Sequence, residues 1–128
     1  MEQLTWITTR LGELAAALST DGGEDAARAT SIVRLQSALG NPVIPESFAE
    51  IRSGVYLDAL ADIPAWAVEA AAMRWIRGAA LFEGDNPLFV PKPVQLIRLA
   101  RAIMEPLENQ ASRLTFLAAT AEKDAAAA

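Results

Sequence analysis

The chain has 128 residues, 52% of them hydrophobic and 21% charged, with no Cys and no His. That inventory excludes disulfides, Cys/His zinc sites, the Ser-His-Asp triad and imidazole acid–base chemistry. At 13.6 kDa the chain can still remove roughly two thirds of its extended surface from water, a core for one domain without staples.

The net charge of −5 argues against a generic phosphate-neutralising surface. Its distribution is uneven, however. Residues 1–73 hold four Arg against ten Asp/Glu, whereas residues 74–101 hold Arg74, Arg77, Lys92, Arg98 and Arg101 against Glu83 and Asp85. An acidic body with one mildly basic region is expected. The start, MEQLTWITTR, has no basic residues leading into an apolar run, so no signal peptide is expected. The richest apolar run, over 63–75, is cut by Glu69 and Arg74 and does not read as a membrane span. A soluble protein of the bacterial cytoplasm is the expectation.

With 27 Ala, and Leu, Glu and Arg abundant, helix is favoured wherever Gly and Pro permit it, so punctuation sets the boundaries. Leu4, Ile7, Leu11, Leu14 and Leu18 recur at alternating spacings of three and four, predicting a helix over about 4–18. Its seam reads as core, with a homodimer contact as the alternative. Asp21 and Glu24 have the spacing of a capping box for a second helix over about 23–39, with Ala29, Ile32, Val33, Leu35 and Leu39 inward. Gly40, Asn41 and Pro42 stop it. Pro45 opens a third helix with Phe48, Ile51, Val55, Tyr56, Ala59 and Leu60 as its apolar face.

Pro64 starts a fourth helix, to about 79, apolar nearly all round and expected at the centre of the fold. Trp75 should fill the core and Trp66 should be partly exposed. Residues 81–93, LFEGDNPLFVPKP, read as a loop with apolar anchors Phe82, Leu88 and Phe89. Pro93 opens a fifth helix, and Pro106 predicts either a kink or a fresh start before a last helix. Alternating strand patterns are lacking. The expected fold is all-α, a compact bundle of five to six helices in a single domain over 1–124, with the alanines of 125–128 as a frayed end.

Candidate chemistry is sparse. Asp58 and Asp62, four apart on the predicted third helix, could share a face, but no third acidic ligand follows and solvation explains them better. Phosphate loops and dinucleotide fingerprints do not occur. No cofactor, metal site or enzymatic activity is expected. Arg74, Arg77, Lys92, Arg98 and Arg101 could form a basic patch, and Gln95, Arg98 and Arg101 make a short version of a base-reading set on a helix. Trp66 could serve as a binding anchor beside them.

Residues 56–101 carry a longer pattern: Tyr56, Leu60, Asp62 and Pro64, an alanine-rich helix with Ala70 ending in Trp75, a loop, then Phe89, Pro91, Pro93, Leu96 and Arg98. This resembles phage and prophage replication proteins of the replicative-helicase loader/inhibitor families. The resemblance covers about a third of the chain. It implies a helical adaptor without catalytic residues that binds a replicative helicase or an initiator, with Trp66, Arg74, Arg77, Lys92, Gln95, Arg98 and Arg101 as candidate partner-binding residues. Two other readings stand beside it: a phage-encoded inhibitor of a host defence or transcription complex, and a small DNA-binding module using the basic patch.

Overall fold

A computed structural model describes residues 2–20, 24–39, 46–79 and 81–127, with backbone alone for 46–50. Among the described residues the fold is all-α, with five helices: α1 Glu2–Leu18, α2 Asp25–Ala38, α3 Glu46–Ala59, α4 Ala65–Arg77 and α5 Pro93–Ala127. No helix among them is long and apolar enough to cross a membrane.

The chain divides into two compact units, Met1–Ser19 with Met104–Ala128, and Thr20–Ile103. In the first, the α1 seam packs within the chain: Ile7 and Leu14 are buried with Leu114 of α5, and Leu11, Leu107, Ala111 and Ala118 close around them. Arg10 fixes the register of the two helices, donating from Nε and one terminal nitrogen to Oε1 of Gln110 at 3.2 and 2.9 Å.

In the second unit α2 packs on α3 and on α4. Its inner face is Arg28, Ser31, Ile32 and Leu35, the i, i+3, i+4, i+7 set of one helical stripe. Val33, expected inward, lies about 100° from Ile32 and is exposed. Arg28 is only 2% exposed and is fully used. Its Nε donates to the carbonyl of Ile63 at 2.8 Å, and its two terminal nitrogens reach Asp25 at 3.1 Å and Glu24 at 3.3 Å. The predicted capping role of Glu24 is therefore replaced: Glu24 occupies the N-cap but makes no side-chain cap bond, its carboxylate being held by Arg28. Asp21, the other half of that expectation, lies outside the described residues, as do Gly40, Asn41, Pro42 and Pro45. Phe48 lies in the part of α3 described by backbone alone.

The expected apolar face of α3 was too wide. Tyr56 and Leu60 are buried, whereas Ile51 and Val55 are exposed; the two pairs lie five residues apart, about 140° around the helix, and one partner cannot cover both. The third helix also ends before Asp62. Asp58 and Asp62 are exposed, one in the helix and one in the turn after it, so they share no helical face. Pro64 caps α4, and Ala67, Val68, Ala71, Ala72 and Trp75 form its buried side. Short alanines there permit close approach of a neighbouring backbone.

Pro106 does not interrupt the chain's last helix: α5 runs unbroken through it to Ala127. The fresh start was an expectation from the missing amide N–H; strong helix formers on both sides carry the ladder across. The helical backbone continues over 125–127, where the frayed end was expected.

Candidate functional site

The segment between α4 and α5 is a loop, as expected, but it is anchored by different groups. Phe82, Leu88 and Phe89 are exposed, with Leu88 79% and Phe89 67% accessible. The anchors are polar and act on the main chain. The indole N–H of buried Trp75 donates to the carbonyl of Phe89 at 2.8 Å, and the hydroxyl of buried Tyr56 donates to the carbonyl of Pro91 at 2.5 Å. Pro91 itself is buried. Both donors come from core aromatics, whose polar tips need a partner once desolvated.

Local turn chemistry shapes the rest. Gly78 closes α4 in the left-handed conformation, φ 64°, and the amide of Ala79 donates back to the carbonyl of Arg74 at 3.0 Å. A Cβ on Gly78 would stand 3.3 Å from Cγ of Pro87, so the loop lies against the helix end. Gly84, φ 89°, sits in the turn closed by the Asp85 amide donating to the Phe82 carbonyl at 3.1 Å. Asn86 accepts twice, at Oδ1 from the amide of Leu88 (3.0 Å) and at its carbonyl from the amide of Phe89 (3.2 Å).

Asp85 joins the loop to α5. Its side chain is 3% exposed, and Oδ1 accepts from a terminal nitrogen of Arg98 at 2.8 Å and from Nε2 of Gln95 at 3.3 Å. The Arg98 guanidinium also lies over the Phe82 ring, 4.4 Å from its centre. Gln95 has a second task, its Oε1 accepting from the Lys92 amide at 2.7 Å while the Lys92 carbonyl takes the amides of Gln95 (2.9 Å) and Leu96 (3.2 Å). The Gln95 side chain thus supplies one half of a capping box, reaching back to the amide that precedes the helix, with Pro93 at the first helical position. Burial pushes the Tyr56 phenol above the ordinary tyrosine value, and nearby Arg52 pulls the other way less strongly.

Among the residues expected to bind a partner, Gln95 and Arg98 converge on Asp85, and both are spent on holding the loop. Arg74 and Arg77 are exposed in the last turn of α4, where their charge complements the helix dipole. Lys92 and Arg101 are exposed, and Trp66 is part-buried near the start of α4. Val94, Arg98 and Arg101 share one exposed stripe of α5 at i, i+4, i+7.

Sequence reasoning missed Asp85, which reads as a turn residue in Gly-Asp-Asn-Pro, because nothing local announces an arginine partner 13 residues on. It also missed that Leu88 and Phe89 face outward. The available signal was three prolines in the loop, which stiffen a backbone that then needs no apolar side chain to hold it. Among the described residues no group of His, Cys, Asp or Glu is placed to hold a metal ion. Comparison with family models, curated proteins and solved structures finds no match to this chain.

Proposed function

We propose that the chain is a non-enzymatic adaptor that binds a partner protein through the loop at 82–92 and the adjoining start of α5. One observation carries this reading: the loop backbone is held by hydrogen bonds donated by Trp75 and Tyr56 and by one that Asn86 accepts, while Leu88, Phe89 and Val94 are turned to solvent, each about two-thirds exposed or more. Ordering apolar side chains before binding removes part of the entropic penalty of association, and rigid apolar anchors are what binding hot spots are made of.

The partner we propose is a replicative helicase or initiator in a bacterial host. The support is the resemblance over residues 56–101, whose matched positions Tyr56, Trp75, Phe89, Pro91, Pro93 and Arg98 are the residues that fix this loop. Engagement of Arg98 and Gln95 with Asp85 leaves Arg74, Arg77, Lys92 and Arg101 as the outward cations, a charge set suited to orienting an acidic protein surface.

The test is capture of host proteins on the tagged full chain, with and without nuclease, read by mass spectrometry. The helicase should be retained after nuclease, and Phe89→Ala or Leu88→Ala should reduce its recovery about tenfold or more. Recovery of a defence or transcription complex in its place would favour the inhibitor reading. Loss of every partner on nuclease treatment, with binding to DNA that weakens steeply as salt rises, would favour the DNA-binding module.

A further inference from the structure

The loop at 82–92 lies within one unit, Thr20–Ile103, and has cations on both of its sides. Near its start, Pro87 stands against Gly78 at the end of α4, next to the exposed Arg77 and, one turn earlier, Arg74. At its end come Lys92 and then the α5 stripe of Val94, Arg98 and Arg101. This charge is segregated: over 74–101 five cations stand against Glu83 and Asp85, giving +3 in a chain of −5, which leaves −8 on the rest. It is also largely unpaired. Among the described residues Arg74, Arg77, Lys92 and Arg101 have no carboxylate within 4 Å.

Arg98 is the cation prepared for a ligand. Asp85 takes one of its terminal nitrogens at 2.8 Å and the Phe82 ring lies 4.4 Å from the guanidinium, so the plane of the fork is fixed. Half of the Arg98 side chain is nevertheless in water, whereas the Asp85 side chain is 3% exposed, so the face turned outward is the cationic one. Among the described residues no acceptor takes Nε or the other terminal nitrogen. A guanidinium already held in place, with donors to spare, loses little freedom when a second carboxylate arrives, and its fork matches that group.

Resting on the adaptor reading above, we infer that the partner segment that meets this loop is acidic. One of its carboxylates is taken by the free donors of Arg98, with Arg101 and Lys92 beside it, and a large apolar residue next to that carboxylate packs on Leu88 and Phe89. Two features select an acidic protein segment over a nucleic acid strand. Aliphatic Leu88 and Val94 stand among the cations, whereas a strand-binding groove offers aromatic faces on which successive bases stack. The −8 on the rest of the chain repels a polyanion that runs on past the patch, while a short acidic segment fits within it.

Selection of short random displayed peptides on the immobilised full chain tests the inference, followed by fluorescence anisotropy with the enriched peptides and with oligothymidylate. The enriched peptides should carry Asp and Glu in excess over Lys and Arg, with Leu, Ile, Phe or Trp beside them. Their binding should fall as salt rises and weaken about tenfold or more in Arg98→Gln and in Arg101→Glu. Arg101 has no carboxylate partner to lose, so its variant gives the answer even where Arg98→Gln disturbs the loop, which circular dichroism and urea denaturation detect. Arg34→Glu, an exposed charge change on α2, is the control and should stay within about twofold of the parent. Peptides without an acidic excess, or acidic peptides indifferent to both arginine variants, overturn the inference. Where their binding still falls in Phe89→Ala, the adaptor reading survives it; where no peptide is enriched, or none depends on Phe89, both fail. Oligothymidylate that binds as tightly as the peptides and displaces them overturns it in favour of a nucleic acid strand.

Discussion

Tyr56 and Pro91, 35 residues apart, are joined by a hydroxyl-to-carbonyl hydrogen bond inside the protein. Removing the donor in Tyr56→Phe leaves a buried carbonyl without its partner while preserving the ring, and should lower stability by about 1–3 kcal/mol in urea denaturation. The same bond makes a pH prediction. Burial raises the phenol in the folded state, so the unfolded chain ionises first. The contribution is complete below the ordinary tyrosine value of about 10 and is lost as pH climbs through the folded value. Tyr56 is the chain's only tyrosine, so phenolate absorbance reads it alone: the titration should start later in buffer than in urea.

Arg98→Ala removes the guanidinium from the buried carboxylate of Asp85. Breaking a fully buried pair costs about 3–5 kcal/mol; since half of the Arg98 side chain is in water, the expected loss is nearer 1–2 kcal/mol. Asp85→Ala alone should be similar, and the double variant should lose less than the two together. A double-mutant cycle by urea denaturation measures this; additive losses would mean that the pair contributes nothing.

The two left-handed glycines separate backbone strain from crowding. Gly84→Ala places a methyl in open space and should cost only the strain of positive φ, about 1 kcal/mol, whereas Gly78→Ala also drives its Cβ to 3.3 Å from Pro87 and should cost more. Thermal midpoints of the two variants, measured side by side, give the order.

Arg28→Lys keeps the charge and loses the fork. One ammonium cannot serve the Ile63 carbonyl, Asp25 and Glu24 as the guanidinium does, so a loss of about 2 kcal/mol is expected despite the conservative appearance of the change. Equal stability of the lysine variant in denaturant would show that the charge alone suffices there.

The helices were legible because Gly and Pro are dense enough here to mark their ends, and Trp75 was legible as core because it falls on the stripe of Val68 and Ala72 in α4. The faces of α2 and α3 were less so. A sequence presents Val33, Ile51 and Val55 as apolar, but only packing decides which of two apolar arcs meets a neighbour, and Arg28, the residue that took an inward position, is one whose burial depends on three acceptors gathered by the fold. At the candidate site, the basic residues were visible and the clasp was not. Its bonds run from side chains to distant carbonyls, and every residue has a carbonyl, so the acceptors carry no signature in the sequence.

That choice of acceptor has an evolutionary consequence. Since Trp75 and Tyr56 grip the peptide carbonyls at Phe89 and Pro91, the position of residue 89 is indifferent to the side chain it bears, and Leu88 and Phe89 make little of the interior. The loop can therefore be recoded at its outward positions with hardly any penalty to folding, so the surface it presents can change in sequence while the backbone beneath it stays the same.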